Sequence, residues 1–486
     1  SERRQPAWLW AVAGMLLAAQ LAACTLARRP FSGPEPLYAQ PSPSERIDWH
    51  RTLVRRLPPL RHDRGDRWPL VLWQGVGFER LAPRQIRSLL DRGIVQHLRL
   101  RTPDIEAARA LRAAGAPVIL LEGAGGAWPY DTVADDTRWR LRFPAGATVP
   151  QWWRGLADPT LDAGWERSSA LTRSRLQQYK SAGVKIDAVW LDYEGAQLHD
   201  DYQALRASTS AARMPRGVLD SEARYRNYRR NRWLIRLSRY LAEPVREVYP
   251  KVSVTNWVVT ASSDDHPVLS WTDWPHPQSP TLAFTATNPI AYGVDSYFLS
   301  AWPPSRDINR VNVDRFYTHL LLRQVSADAF NRKASGEGMG AVAWVSRWVP
   351  DHPDRHAPLM SRAAYREALR HLWLRGVDAM EVFNPARKGY ERYAVEEVED
   401  VQRVYDEMLA YRDFLDHGEV MNYRIPGKLD GLMVWSGLRL GDRALVRLTN
   451  LGARQKHAYI CLTDQWCVNL PMPRHGHTFI LKAGNS

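Results

Sequence analysis

Between residue 68 and about residue 418 the sequence alternates short apolar runs with amphipathic stretches, and this rhythm constrains the fold more than any other feature. The apolar runs fall at residues 70–73, 94–100, 118–121, 188–191, 252–259, 294–299, 341–345 and 379–383. Each has the length of a buried strand. Helical stretches lie between them. Pro83 opens one at an N1-like position, and Thr102-Pro103-Asp104-Ile105 opens the next, which ends at Gly115. Others run over 165–182 (ended by Gly183), 220–248, 311–333, 361–375 (ended by Gly376) and 394–415. The stretch 264–289 is rich in Pro, Ser and Thr and reads as loop. Strands separated by helices imply parallel pairing with helical crossovers. Eight such units over roughly 350 residues suit an α/β chain folded as a (β/α)8 barrel with loop insertions. An open doubly wound sheet is the second reading. The glycine-rich phosphate fingerprint of nucleotide folds does not follow the first strand. After Gly418 the pattern changes to short strands at 431–440, 443–449, 457–462, 465–470 and 477–482. These predict a small antiparallel, sandwich-like β domain over 419–486, following a catalytic barrel over 66–418.

The N-terminus has its own logic. Arg3 and Arg4 precede an apolar run over 7–19, and Leu21-Ala22-Ala23-Cys24 follows. A basic start, a short apolar core and small residues before a boundary make an export signal, here 1–23. The run is shorter than the ~20 residues of a membrane span. A cysteine directly after Leu-Ala-Ala resembles the lipobox of bacterial lipoproteins. That resemblance implies cleavage before Cys24 and lipidation of its thiol. Thr25, where inner-membrane lipoproteins carry Asp, implies the outer membrane. An uncleaved anchor is the other reading. Residues 24–65 then form the lipidated cysteine and a flexible tether, rich in Pro, Ser and Gly over 28–43. Two cysteines remain, Cys461 and Cys467, flanking a turn-like stretch. They predict a hairpin disulfide in an oxidising compartment, with two free thiols as the alternative.

The formal net charge is +14, and removal of Glu2, Arg3 and Arg4 with the signal brings it to +13. A basic surface favours anionic partners, an acidic polysaccharide among them. Lys and Arg do not cluster with any nucleic-acid motif, so no nucleic-acid partner is expected. Tryptophan is abundant at 21 residues, which suits stacking on sugar rings as well as core packing.

In a (β/α)8 barrel, chemistry sits at the C-terminal ends of the strands. Those ends supply Trp73, Glu122, Asp192, Glu194, Asn256, Trp257, Tyr297, Trp302, Trp344, Arg347, Glu381 and Asn384. Asp192 and Glu194 stand two residues apart, on one face of a strand. Like charges that close raise the pKa of at least one acid, as a general acid requires. The plain reading is a strand end whose Asp caps a helix and whose Glu pairs with an arginine. Glu122 has a similar reading as a loop cap, and Glu381 as a partner of Arg347 or Arg387.

Asp187-Ala188-Val189-Trp190-Leu191-Asp192-Tyr193-Glu194 resembles the fourth-strand signature of chitinase-like glycosidases, Asp-Gly-x-Asp-x-Asp-x-Glu. Asp187, Asp192 and Glu194 fall in register. Ala188 replaces the glycine and Trp190 the middle acid, which leans toward looser relatives such as hyaluronidases that keep only Asp-x-Glu. The resemblance implies a substrate-assisted retaining glycoside hydrolase. Glu194 would protonate the glycosidic oxygen while the substrate's own 2-acetamido carbonyl attacks the anomeric carbon. Asp192 would orient that group, and Tyr297 would help hold it. Glu122, Asn256, Trp257, Trp302, Trp344, Arg347, Glu381, Asn384 and Trp73 are the expected sugar contacts. A two-carboxylate scheme, with Glu381 or Glu122 as partner of Glu194, is the other enzymatic reading. No cofactor or metal is expected: His-Glu-x-x-His is absent, and Pro353 separates His352 from His356. A non-catalytic glycan-binding or scaffold lipoprotein of the cell envelope is the competing class.

Overall fold

The computed structural model describes residues 43–73, 81–122, 142–147, 162–191, 202–256, 283–292, 310–335, 338–347, 360–383, 391–424 and 433–484. Among the described residues, ten strands precede residue 418: β1 Leu70–Leu72, β2 Ile94–Gln96, β3 Leu98–Arg99, β4 Ile119–Glu122, β5 Ala188–Leu191, β6 Ser253–Asn256, β7 Ala286–Thr287, β8 Ile290–Tyr292, β9 Gly340–Ser346 and β10 Ala379–Val382. They form two parallel sheets. One runs β2-β1-β10-β9, with β7 and β8 both on β9; the other runs β3-β4-β5-β6. Thus β1, the first strand, pairs with β10, the last. His97 alone separates β2 from β3. Beyond β6, the Thr285 N–H donates to the Val254 carbonyl at 3.0 Å.

Helices connect these strands, as the alternation predicts. The helix Ile105–Ala113 starts where Asp104 accepts from the Ala107 N–H at 2.9 Å, and Arg362–Trp373 where Ser361 accepts from Ala364 at 3.2 Å. Their apolar faces and the strands form one large core, from Leu53 through Trp373 to Phe414. The helix expected over 220–248 is interrupted. Glu222–Arg236 is α-helical, Leu237–Ala242 is a π-turn, and Glu243–Val248 resumes the α-helix. Pro244 explains the break, because it lacks an N–H and its ring crowds the carbonyl four residues back.

Two expectations differ from the structure. Strand β7 lies inside the stretch read as loop and β8 starts just after it, at Ile290; both are short and Pro289 divides them, so their periodicity was too brief to register. The sixth strand expected at 294–299 lies outside the described residues. Part of the expected tether is a helix, Pro43–Arg56, whose Leu53 and the following Leu57 enter the core. Its polar composition hid that anchoring.

The C-terminal region is antiparallel. Strands β11 Glu419–Val420, β12 Met433–Leu440, β13 Arg443–Asn450 and β16 Gly476–Lys482 make one sheet, and β14 His457–Thr463 with β15 Trp466–Pro471 the other. Alternate residues of both sheets (Val446, Leu448, Ile460, Leu462) share a second core. Cys461 faces Cys467 across the β14–β15 hairpin, and the two form a disulfide.

Candidate functional site

Register decides which side chains meet. In the first parallel sheet Val71 lies beside Glu381, and Glu381 beside Trp344. Side chains two apart share a face, so Trp73 and Phe383 join them. The rings confirm it: Trp73 and Phe383 have centroids 5.0 Å apart, Trp344 and Phe383 5.4 Å, and Trp73 and Trp344 6.1 Å. His97, in the short break between β2 and β3, shares that face. Its Nε2 lies 3.6 Å from Glu381 Oε1. In the second sheet Leu121, Trp190 and Thr255 lie side by side, in register with Arg99, which stands two residues from His97.

The floor of this face is polar and buried. His97, Glu381 and Asn288 are 1–2% exposed. Among the described residues, neither ring nitrogen of His97 has a hydrogen-bond partner, nor does Glu381 Oε1 or Asn288 Oδ1. Burial pushes Glu381 up to about 8, an effect that the Asn288 amide beside it only partly offsets. Burial also pushes His97 down to about 3. Between those values both groups are neutral, so the 3.6 Å contact joins an acid to an imidazole and is not an ion pair. A buried carboxylic acid that keeps its proton near neutrality can donate it, or donate a hydrogen bond. Above this floor Trp73 and Phe383 are partly exposed, whereas Trp344 is buried.

Three expected contacts therefore come together: Trp73, Trp344 and Glu381. Two do not. Asn256 pairs with Leu191, on the face opposite Trp190 and Thr255. Arg347 turns away from that face: its N–H donates to Glu397 at 2.6 Å, and its guanidinium to the Met360 carbonyl at 3.2 Å and to Glu396 at 3.4 Å. That same geometry removes Arg347 as an ion-pair partner for Glu381. Glu122 ends β4 beside Leu191. Asp192, Glu194, Tyr297, Trp257, Trp302, Asn384 and Cys24 lie outside the described residues. Asp187, the first acid of the signature, is structural: Arg112 and the Val118 N–H (2.8 Å) both donate to it, clamping β5 to β4. The residues that sequence reasoning missed are His97, Asn288 and Phe383. Adjacent polar residues Gln96-His97 inside an apolar run were the available signal, since a buried polar side chain in a strand needs a reason. Gln96 has one: its Oε1 accepts from His50 Nε2 at 2.8 Å on the other face. Among the described residues no group of three His, Cys, Asp or Glu side chains is placed to hold a metal ion.

No protein-family model and no curated protein matches the chain. Similar solved structures include an alpha-galactosidase from Geobacillus stearothermophilus in complex with 1-deoxygalactonojirimycin, at 13% identity and TM-score 0.45, covering 90% of this chain and 58% of that one. An alpha-galactosidase from Lactobacillus brevis is similar at 12% identity and TM-score 0.46, covering 86% and 55%. A cyclic alpha-maltosyl-(1→6)-maltose hydrolase from Arthrobacter globiformis matches at 11% and 0.38, covering 88% and 94%. The chain thus spans somewhat over half the length of the galactosidases.

Proposed function

We propose that this chain is a glycoside hydrolase of the bacterial cell envelope, acting on a polysaccharide that contains N-acetylated sugars. The observation that carries the reading is the pairing of the first parallel strand with the last, which brings Trp73, Trp344 and Glu381 to one face at their strand ends. On this reading the two parallel sheets are arcs of a single (β/α)8 barrel, joined at His97 on one side and near Thr285 on the other. Glu194, at the end of the fourth unit, is the proton donor. Asp192 orients the substrate's acetamido group, and Tyr297 helps hold it. Cys24 carries the lipid anchor, at the outer membrane. Support for the acid pair comes from the Asp187–Glu194 signature and from Trp190, whose strand neighbours continue the face that holds His97.

The test is replacement of Glu194 by Gln, with release of reducing ends from N-acetylated and from de-N-acetylated polysaccharide as the readout. Turnover should fall at least 100-fold, and only the N-acetylated substrate should be cleaved by the wild type. Undiminished turnover in Glu194→Gln contradicts the assignment. One observation favours a second reading, a non-catalytic glycan binder: Trp190 stands where the resembled signature has an acid. Binding without turnover in the wild type decides for it.

A further inference from the structure

Positive charge in this chain is concentrated in one stretch. Between Tyr202 and Arg239 there are ten arginines and two acids, an excess of eight in a chain whose formal net charge is +14. Counting Asp200 and Asp201 just before the stretch, and Asp162 packed against it, still leaves an excess of five. The stretch follows β5, so it stands on the side of the sheet where that strand ends. Parallel β/α units carry their sites on that side.

Local packing gathers the arginines. The Tyr202 ring lies 5.7 Å from that of Tyr225, and its hydroxyl donates to the Leu219 carbonyl at 2.9 Å. The Arg206 guanidinium lies over the Tyr202 ring at 5.3 Å. Arg224 donates to Asp220 at 2.7 Å and reaches back to Gly217, where a Cβ would lie 3.6 Å from its Nη1. That brings it to the neighbour of Arg216. The Thr209 N–H donates to the Arg142 carbonyl at 2.7 Å, which ties in the loop after β4. Arg142, Arg206, Arg216 and Arg224 are all exposed. The helix that follows extends the group. Its Arg232 and Arg236 both pair with Asp162, the residue before the helix Ala163–Ser181. Residues 222–231 therefore stand beyond the start of that neighbour, over about 15 Å of helix. They hold four arginines against one acid.

A group of exposed cations attracts a polyanion. The planar guanidinium fork matches a carboxylate with two parallel hydrogen bonds. A membrane surface fits less well, because an interfacial helix needs an apolar face along its length. In residues 222–236 the aliphatic and tryptophan residues are Ala223 and the consecutive run 233–235, which is no stripe at helical spacing. We infer that Arg142, Arg206, Arg216 and Arg224 form a docking surface for a carboxylate-bearing polysaccharide, extended by the helix over 222–231. The inference rests on the glycan reading for the kind of polymer, and on neither Glu194 nor turnover.

Isothermal titration of the full chain with alginate and with polygalacturonate tests this. Fully methyl-esterified polygalacturonate keeps the backbone and removes the charge. Both acidic polymers should bind, the ester about 10-fold more weakly or worse, and added salt should weaken only the acidic pair. The triple variant Arg206→Gln, Arg216→Gln, Arg224→Gln, checked for folding by circular dichroism, should lose about 10-fold in affinity. Should it not fold, hydrogen exchange on the wild type decides, with protection by the acidic polymer expected within 202–231. Arg439→Gln, Arg454→Gln, Arg474→Gln removes the same charge from exposed positions of the antiparallel region and should bind like the wild type. Equal binding of polymer and ester overturns the inference, as do equal losses in the two variants, no loss in the first, or failure of both acidic polymers to bind. Tighter binding at matched charge to phosphatidylglycerol vesicles, or to a single-stranded oligonucleotide, also overturns it. Glu194→Gln should keep the binding. If that variant keeps turnover as well, the acid assignment fails while the docking surface stands. If it loses turnover but the first arginine variant binds like the wild type, the docking surface fails while the acid assignment stands.

Discussion

His97 and His371 are buried to the same extent, and burial pushes both imidazoles down to about 3. Their surroundings differ. His371 lies at the seam between the helix Arg362–Trp373 and the antiparallel sheet, where Nδ1 meets Ser436 Oγ at 2.9 Å and Nε2 meets Thr449 Oγ1 at 2.8 Å. Arg375, one turn on, is equally enclosed and donates to Ser436 Oγ and to the carbonyls of Asn422, Arg424 and Trp435, all within 3.0 Å. Glu367 takes two bonds from Arg447, at 2.7 and 2.6 Å. The seam is polar and complete. The surroundings of His97 are polar and incomplete: neither ring nitrogen has a hydrogen-bond partner among the described residues.

The largest expected effect tests the completeness of the seam. Arg375→Ala removes the side-chain donor from the Asn422 and Arg424 carbonyls and leaves a void, which should cost on the order of 3–5 kcal/mol in chemical denaturation. A loss below about 1 kcal/mol would break the contrast.

The two carboxylates should respond to pH in opposite directions. The Glu381 pKa in the folded chain, about 8, lies above its ordinary 4.5. Its contribution is therefore present below pH 4.5 and is lost as pH rises toward 8. Glu381→Gln should remove roughly 2–4 kcal/mol of that alkaline loss, read as the difference between the two proteins at pH 5 and pH 8. Glu397, also raised to about 8 by burial, keeps its share in both proteins and cancels in the difference. For Glu367 burial pushes the pKa up, but the hydrogen bonds and charge of Arg447 outweigh it and leave the group at about 2. Its stabilisation is present above pH 4.5 and is lost as pH falls toward 2. Glu367→Gln should be roughly 2 kcal/mol less stable at pH 7, with the difference closing by pH 2. Equal slopes for the two variants would show that the regions do not differ.

The smallest effect sharpens the seam's geometry. Gly376 has φ +80°, and a Cβ there would meet Val420 Cγ2 at 2.7 Å. Gly376→Ala should cost about 1–2 kcal/mol, seen as a lower midpoint at an unchanged denaturant slope.

Much of the fold was legible because its apolar runs and helix signals agree locally. Asp104, Ser361 and Gly376 mark helix ends by their own side-chain chemistry or lack of it. What escaped depended on distant partners. Leu53 and Leu57 anchor a helix whose many charged residues and neighbouring Pro-rich stretch made it read as tether. Trp73, Trp344 and Glu381 were readable as strand ends. Asn256 and Arg347 were also strand ends, and only register reveals that they face elsewhere. His97 sits in a break between two strand segments, where alternation cannot be counted through, and Asn288 lies between two strands too short to recognise.

Nitrogen-15 NMR of the imidazole side chains, with His97 and His371 assigned through His97→Gln and His371→Asn, tests the central claim most directly. Both rings should report neutral imidazole near pH 7. The His371 nitrogens, held by Ser436 and Thr449, should carry the shifts of hydrogen-bonded imidazole, and the His97 nitrogens should not. Hydrogen-bonded shifts at both rings alike would contradict the account.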